Sequence, residues 1–369
     1  MEVIGIIAEY NPFHNGHLYH INKIKELYPD SLIILVLNGF FLQRGEISTL
    51  TKEDKTKIAL LNNVDLVLEL PLLYGCQSAD IFAEASLKIL NEFKINKLIF
   101  GSEINDSQIL YDIAKKQLDP KFDEKVKEYI KKGLNYPTAL SKALNQNFEY
   151  LPNDLLGISY TKAIIKNNYN IQIETIKRTN NYHDLTLDQD IVSASNIREK
   201  IKNNLDITKY LPKESYEKII NTQNDNLFKL LKYKILIDNQ LNNILDVNEG
   251  LDFLIKSKID TTNNIDQLIK KIKSKRYTYN RINRMLIHIL LNITKEDATE
   301  TLKYITILGF NKKGKIYLNS IKKEINIPLK KDFNSKQYEY EINASKIYDL
   351  INNTNTYDFE KRNKPISIE

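Results

Sequence analysis

Val3–Ala8, "VIGIIA", carries no polar side chain, and the stretch behind it, Gly16–Leu27, places its apolar residues at three- and four-residue steps. The alternation recurs. Apolar runs fall at Leu32–Leu37, Leu66–Leu70, Lys97–Phe100 and Ile171–Ile176, with helical patterns at Lys52–Asn62, Ser78–Phe93 and Asp154–Asn167. A strand that is apolar on both faces must be covered on both faces, and amphipathic helices between such strands supply the cover. The expected class is therefore α/β, with a parallel sheet. The stretch from Asp106 to Asn147 is helical in pattern without a strand candidate, so about residues 106–147 read as an insertion.

Beyond residue 205 the rhythm changes. Helical patterns dominate at Ser215–Asp238, Val247–Lys258, Ile265–Lys273 and Asn280–Ile293, followed by shorter mixed elements around Tyr304–Ile307 and Tyr338–Ile351. "NNTNT", Asn352–Thr356, reads as a solvated loop. Two domains are expected in 369 residues, 1–204 and a mostly helical 205–369. Charge divides the same way: residues 1–204 hold 24 Lys and Arg against 26 Asp and Glu, or −2, and residues 205–369 hold 29 against 21, or +8. That asymmetry points to a near-neutral catalytic half and a half that meets an anionic surface. One cysteine, Cys76, excludes an internal disulfide framework and a multi-thiolate metal site, and fits a reducing compartment. With no signal-peptide pattern and no membrane-length apolar run, a cytoplasmic location is expected.

Three of the five histidines, His14, His17 and His20, lie within "AEYNPFHNGHLYH", Ala8–His20. A buried strand ends at Ala8, a loop follows, and a helix opens near Asn15–Gly16. Parallel sheets take ligands where strands end and helices begin, and a helix N-terminus favours phosphate. Gly16 lets a ligand approach the backbone. His14 in the loop and His17 in the first turn can face one ligand, with His20 on the same helical face.

"HNGH" resembles the HxGH signature of the nucleotidylyltransferase superfamily. The resemblance implies that His14 and His17 are catalytic, contacting ATP phosphates and stabilising charge at the α-phosphorus. "VSASNIR", Val192–Arg198, resembles the superfamily's ISSTxIR signature, with Ala194 and Ser195 where Ser and Thr are usual. Ser193 and Ser195 suit a helix N-cap, and Arg198 suits phosphate. "NGFFLQRGE" (Asn38–Glu46), "DLVLELP" (Asp65–Pro71), "FGSE" (Phe100–Glu103) and "LPNDLLGISYTKA" (Leu151–Ala163) narrow the likeness. Together they resemble the bacterial tRNA(Met) cytidine acetate ligase family, densely over residues 1–200 and only in architecture beyond.

That resemblance implies a Rossmann-like nucleotidylyltransferase domain followed by a mostly helical domain. It implies activation of acetate by ATP, with Mg²⁺ accompanying the nucleotide, and acetylation of N4 of the wobble cytidine of elongator tRNA(Met). The implied ATP site is Ile7, Ala8, Glu9, Tyr10, Asn11, Pro12, Phe13, His14, Asn15, Gly16, His17, Leu18, Tyr19 and His20, with Gly101, Asn153 and Arg178. Thr179 lies beside Arg178, and Ser193, Ser195 and Arg198 close over the phosphates. Arg44, at the same sheet edge, could pair with acetate or with an RNA phosphate. Glu69, ending the third strand, could take a proton from the cytidine amine.

No acid occurs from Gln267 to Lys295, or from Thr301 to Lys323. The first span offers Lys271, Lys273, Lys275 and Arg276 with Tyr277, the second Lys312, Lys313 and Lys315. Cations can follow a phosphate backbone and aromatics can stack on unpaired bases, so both spans are candidate tRNA contacts. Two rival readings stand beside this one: a small-molecule adenylyltransferase of the nicotinate-mononucleotide or pantetheine-phosphate type, and a catalytically inactive RNA-binding protein.

Overall fold

Five parallel strands occupy the five apolar runs, with ends moved by at most two residues: β1 (Val3–Ala8), β2 (Leu32–Asn38), β3 (Leu66–Leu70), β4 (Lys97–Ser102) and β5 (Gln172–Lys177). The computed structural model describes residues 1–369 apart from 135, 145–151, 179–190, 249, 275–276 and 363. β2 shows why the runs are continuous. Leu32, Ile34 and Val36 join the core on one face of the sheet, and Ile33, Leu35 and Leu37 join the core on the other. Side chains alternate along a strand, so a sheet covered on both sides needs every position apolar.

The cover on one face comes from α1 (Asn15–Leu27) and α2 (Lys52–Leu61). After the short α3 (Leu72–Gly75), α4 (Ala79–Glu92) covers the other face. The insertion is helical: α5 (Ser107–Gln117), α6 (Pro120–Lys131) and α7 (Tyr136–Ala143), with no strand among the described residues. Next, α8 (Pro152–Lys166) packs beside α4, and α9 (Ala194–Lys202) follows β5. Strand order is β5-β4-β1-β2-β3-β6-β7. The chain runs outward from β1 to β2 and β3, then crosses to β4 and β5 on β1's other side. The C-terminal ends of β1 and β4 therefore flank the switch point where such sheets take ligands.

The second half differs from expectation in three respects. Ser215–Asp238 is not one helix but α10 (Lys213–Tyr216) and α11 (Asn224–Ile237), because the chain between them turns to the first half, where Ile220 N donates to Thr49 O at 2.8 Å. After α12 (Leu251–Ile259), α13 (Ile265–Ile272), α14 (Tyr279–Leu291) and α15 (Lys312–Ile321), the stretch expected to be mixed is the long helix α16 (Lys336–Asn352). The "NNTNT" segment leads to α17 (Tyr357–Lys361) and is not simply solvated: Asn352 and Thr356 are buried, and the Asp349 carboxylate accepts from Thr356 N at 2.9 Å.

The division expected at 204/205 does not divide the sheet. β6 (Ile307–Phe310) pairs antiparallel with β3, and β7 (Ile366–Ser367) pairs parallel with β6. One hydrophobic core joins Phe40, Phe41, Leu72, Leu73 and Cys76 to residues of α11, α12, α13, α14 and α16. Lys52, fully buried on α2, is ion-paired with Glu69 on β3, Glu341 on α16 at 3.0 Å and Glu360 on α17 at 2.7 Å. Among the described residues no helix is long and apolar enough to cross a membrane.

Candidate active site

A pocket of about 280 Å³ opens at the switch point, lined from the ends of β1, β4 and β5 and the starts of α1 and α9. His14 is the N-cap of α1, and its side chain accepts from Gly16 N at 3.0 Å through Nδ1. His17 Nδ1 accepts in turn from His14 N at 3.2 Å, which makes a reciprocal capping box built from two imidazoles. The rings lie 3.9 Å apart between centroids, and Tyr10 packs edge-on against His17 at 4.8 Å. Tyr10 itself is held at φ 48, in the left-handed region that a bulky side chain rarely enters.

Burial, and after it the Arg178 and Arg198 guanidiniums, pulls His14 down to about 3. Burial and then His14 and Arg178 hold His17 well below its ordinary value. Burial and Arg178 bring His20 down to about 4. All three rings are neutral near pH 7. Since each Nδ1 of His14 and His17 accepts a backbone N–H, the single ring proton sits on Nε2. The pair therefore offers two fixed N–H donors without carrying charge. His20 Nε2 is buried with no hydrogen-bond partner among the described residues.

Gly101, Asn153 and Arg178 line the β4/β5 side of the pocket. The space a Cβ would take at Gly101 is bordered by the Arg178 stem, 3.4 Å away. Asn153 is not an N-cap: α8 begins at Pro152, and Asn153 Nδ2 donates to Glu103 Oε1 at 2.5 Å. Arg178 Nε lies 3.5 Å from the same carboxylate oxygen. On α9, Ser193 is the N-cap, accepting from Asn196 N at 3.2 Å, and Ser195 lines the pocket from the first turn. Arg198 donates to Asn11 O at 2.8 Å and to Glu46 Oε1 at 2.9 Å, so it ties α9 to the loops after β1 and β2.

Of the stretch Ile7–His20, ten residues line the pocket: Ile7, Ala8, Glu9, Tyr10, Asn11, His14, Gly16, His17, Tyr19 and His20. The others face elsewhere. Pro12 and Phe13 are buried, and Phe13 O accepts from Ser215 Oγ at 2.7 Å. Leu18 packs against the core, and Asn15 Nδ2 donates to Lys209 O at 2.9 Å. Thr179 lies outside the described residues.

Glu69 does not face the pocket. Its carboxylate is buried against Lys52, and that ammonium, with Lys331, outweighs burial and holds it below the usual carboxylate range. A carboxylate fixed in this way is not placed to take a proton from a substrate. The three carboxylates Glu69, Glu341 and Glu360 converge closely enough to hold a metal, but the Lys52 ammonium already sits among them. Burial and then Glu69 push Glu341 up to about 8.

Arg44 does line the pocket, in a loop that rests on α14. Asn283 Nδ2 donates to Arg44 O at 3.0 Å and to Gly45 O at 2.8 Å. Gly45 sits at φ +73, and a Cβ there would lie 2.4 Å from Arg284 N. The basic helix is thus pressed directly against a pocket loop. Lys271 and Lys273 are exposed, with Lys271 Nζ donating to Thr261 O at 2.6 Å. Lys275 and Arg276 lie outside the described residues. Tyr277 is corrected: at 7% exposure it belongs to the core, with the Arg281 guanidinium 4.7 Å from its ring centroid, so it offers no open face to a base. Its neighbour Tyr279 is the exposed ring, at 44%.

Lys312, Lys313 and Lys315 open α15 at the opposite edge of the sheet. Lys313 Nζ donates to Ser31 O at 2.7 Å, just ahead of β2, and a Cβ on Gly314 would strike Asp65 O ahead of β3. Sequence reasoning missed Lys55, buried on α2, whose Nζ donates to Glu9 O at 3.1 Å and to Asn38 O and Gly39 O, both at 2.6 Å. Burial brings it down to about 7, against the pull of Glu9. Lys52 and Lys55 stand three apart and share the inward stripe with Ile58 and Ala59, which was the available signal.

A family model described as HIGH Nucleotidyl Transferase matches residues 1–363, and the chain belongs to that class. Within the class the relatives are specific. A protein of Caldicellulosiruptor saccharolyticus, named tRNA(Met) cytidine acetate ligase, is 38% identical over 95% of this chain and 94% of its own. One of Clostridium tetani with the same name is 38% identical over 95% of this chain and 96% of its own. The crystal structure of apo Thermotoga maritima TmcAL superposes with a TM-score of 0.88 at 27% identity, covering 100% of both chains. A second form, bound with alpha-thio ATP, gives 0.86 with the same identity and coverage. The chain is a member of the tRNA(Met) cytidine acetate ligase family.

Proposed function

We propose that this protein activates acetate with ATP and transfers the acetyl group to N4 of the wobble cytidine of elongator tRNA(Met). The observation that carries the reading is the neutral histidine pair, with both Nε2–H groups unspent among the described residues, at the N-terminus of α1 beside Arg178. The triphosphate lies across that helix end. Acetate attacks the α-phosphorus, pyrophosphate leaves, and acetyl-adenylate remains. His14 and His17 donate to the oxygens where charge accumulates, which is worth most where donors are fixed in advance and water is excluded. Neutral donors suit this step, since they need no carboxylate partner that would repel the phosphates. Arg178 supplies the nearby positive charge, and Arg198 holds the two loops that shape the phosphate side.

Mg²⁺ enters with the nucleotide. Held by the nucleotide's phosphates, the ion would neutralise part of their charge, and Glu46 would add little because both its oxygens are engaged by Arg198 and Asn11. Arg44 takes either the acetate carboxylate or an RNA phosphate. The RNA lies toward α13 and α14 rather than α15, because α14 abuts the pocket loop whereas α15 stands at the far edge of the sheet. This arrangement favours the ligase over a small-molecule adenylyltransferase, and the intact donor set speaks against an inactive protein.

Acetate-dependent ATP–pyrophosphate exchange, followed by transfer of labelled acetate to elongator tRNA(Met), tests the proposal. His17→Ala is expected to lower exchange by about 100-fold or more while circular dichroism stays native. Near-wild-type exchange from a folded variant would remove the histidines from the mechanism. Exchange with nicotinate mononucleotide or a pantetheine phosphate but not acetate would establish the rival reading.

A further inference from the structure

Acyl transfer needs an acceptor as well as donors. The exocyclic amine of cytidine is barely basic, and once its nitrogen attacks a carbonyl it must lose a proton. Among the described residues the pocket offers few candidates. His14 and His17 spend Nδ1 on backbone N–H groups and present only Nε2–H, so they donate. Glu46 commits one oxygen to Arg198 and the other to Asn11 Nδ2. Glu103 is taken up by Asn153, Asp154 N and Arg178. Glu69 is locked to Lys52 away from the pocket.

Glu9 remains. It is the first residue past β1, and it lines the pocket with its carboxylate turned toward Asn38 and the Gln43 backbone. Asn38 Nδ2 at 3.1 Å and Gln43 N at 2.7 Å both donate to the same oxygen, Oε1. Oε2 takes no hydrogen bond among the described residues. A carboxylate is a poor neighbour for a triphosphate but a good one for an N–H donor. Lys55 fixes its backbone from below, through Glu9 O.

We propose that Glu9 is the catalytic residue that accepts the amine proton in acyl transfer, rather than a ligand of ATP; the inference rests on the functional reading above. The N4 nitrogen attacks the carbonyl carbon of acetyl-adenylate and forms the C–N bond. Its proton passes to Glu9 Oε2. The tetrahedral intermediate collapses, the bond from carbonyl carbon to phosphate oxygen breaks, and AMP leaves with the electron pair. The proton then passes from Glu9 to solvent. Burial, the largest influence on Glu9, raises it above the usual carboxylate range and strengthens it as a base.

Glu9→Gln keeps an Oε1 for Asn38 and Gln43 and removes only the basic oxygen. Two readouts separate the half-reactions: trapping of acetyl-adenylate by hydroxylamine, a nucleophile that needs no base, and single-turnover transfer of labelled acetyl to tRNA(Met). Transfer is expected to fall by about 100-fold or more, with hydroxamate formation falling far less. If both fall together, Glu9 serves adenylation, as an adenine or magnesium ligand would, and the proposal is overturned. Unimpaired transfer overturns it equally. Should the Gln variant melt early, Glu9→Asp carries the same comparison, since withdrawing the carboxylate by one methylene must slow transfer more than trapping. A wild-type enzyme that traps hydroxylamine but never acetylates tRNA would overturn the functional reading instead.

Discussion

At the scale of single residues, the proposed site holds its imidazoles uncharged next to guanidiniums. Burial with Arg178 alongside brings His14 down to about 3 and His20 down to about 4, whereas a histidine in an unfolded chain titrates near 6.5. Below about pH 6.5 the unfolded chain takes up protons that the folded rings refuse. These groups therefore withdraw no stability above that value, and withdraw it progressively as the pH falls toward their folded values. Histidine-resolved NMR is expected to show both rings in the neutral form down to about pH 5; a ring titrating near 6.5 would contradict the buried, cation-flanked geometry. The histidine motif was legible because its spacing alone puts two rings on one helical turn. Glu9 and Lys55 were not, because what they do depends on β1 and β2 ending side by side, with Ala8 opposite Leu37.

Among elements, the least conspicuous contact carries much of the geometry. The loop after β2 meets α14 at Gly45, where a positive φ and the Arg284 backbone together exclude any side chain. Gly45→Ala is expected to cost about 1–3 kcal/mol from the backbone conformation alone, and more from the clash, read as a lower urea midpoint with an unchanged slope. An unshifted midpoint would mean that α14 does not bear on this loop. Strands were readable because burial on both faces leaves an unbroken apolar run, which needs no knowledge of partners. The break between α10 and α11 was not readable, since Ile220 leaves the helical path to reach Thr49, a residue far away in sequence. Tyr277 misled for a related reason: a basic, aromatic stretch looks alike whether its ring faces solvent or the core.

Across the whole molecule, chemistry and architecture follow different boundaries. Every described pocket-lining residue precedes residue 205, yet the edge of β3 and the apolar surface around Phe40 and Leu72 are covered by later segments. A fragment of residues 1–204 is therefore expected to aggregate rather than retain exchange activity, because it exposes an unpaired strand edge beside a large apolar patch. A soluble, active fragment would show that the later segments are dispensable to the sheet. Neutralising Lys271 and Lys273 is expected to weaken tRNA binding and flatten its salt dependence, leaving acetate-dependent exchange in place. Unchanged affinity and slope would move the RNA footprint elsewhere.

The antiparallel strand β6 also sets a schedule. During synthesis the ribosome releases β1 through β5 and the whole nucleotide pocket long before Ile307 emerges to pair with Leu68. At roughly 5–20 residues per second that interval is on the order of 5–20 seconds. Throughout it the growing chain holds a nearly finished pocket on a sheet whose β3 edge is unpaired. The protein is thus most exposed to misassociation before it is complete, when chaperones rather than its own residues must shield β3.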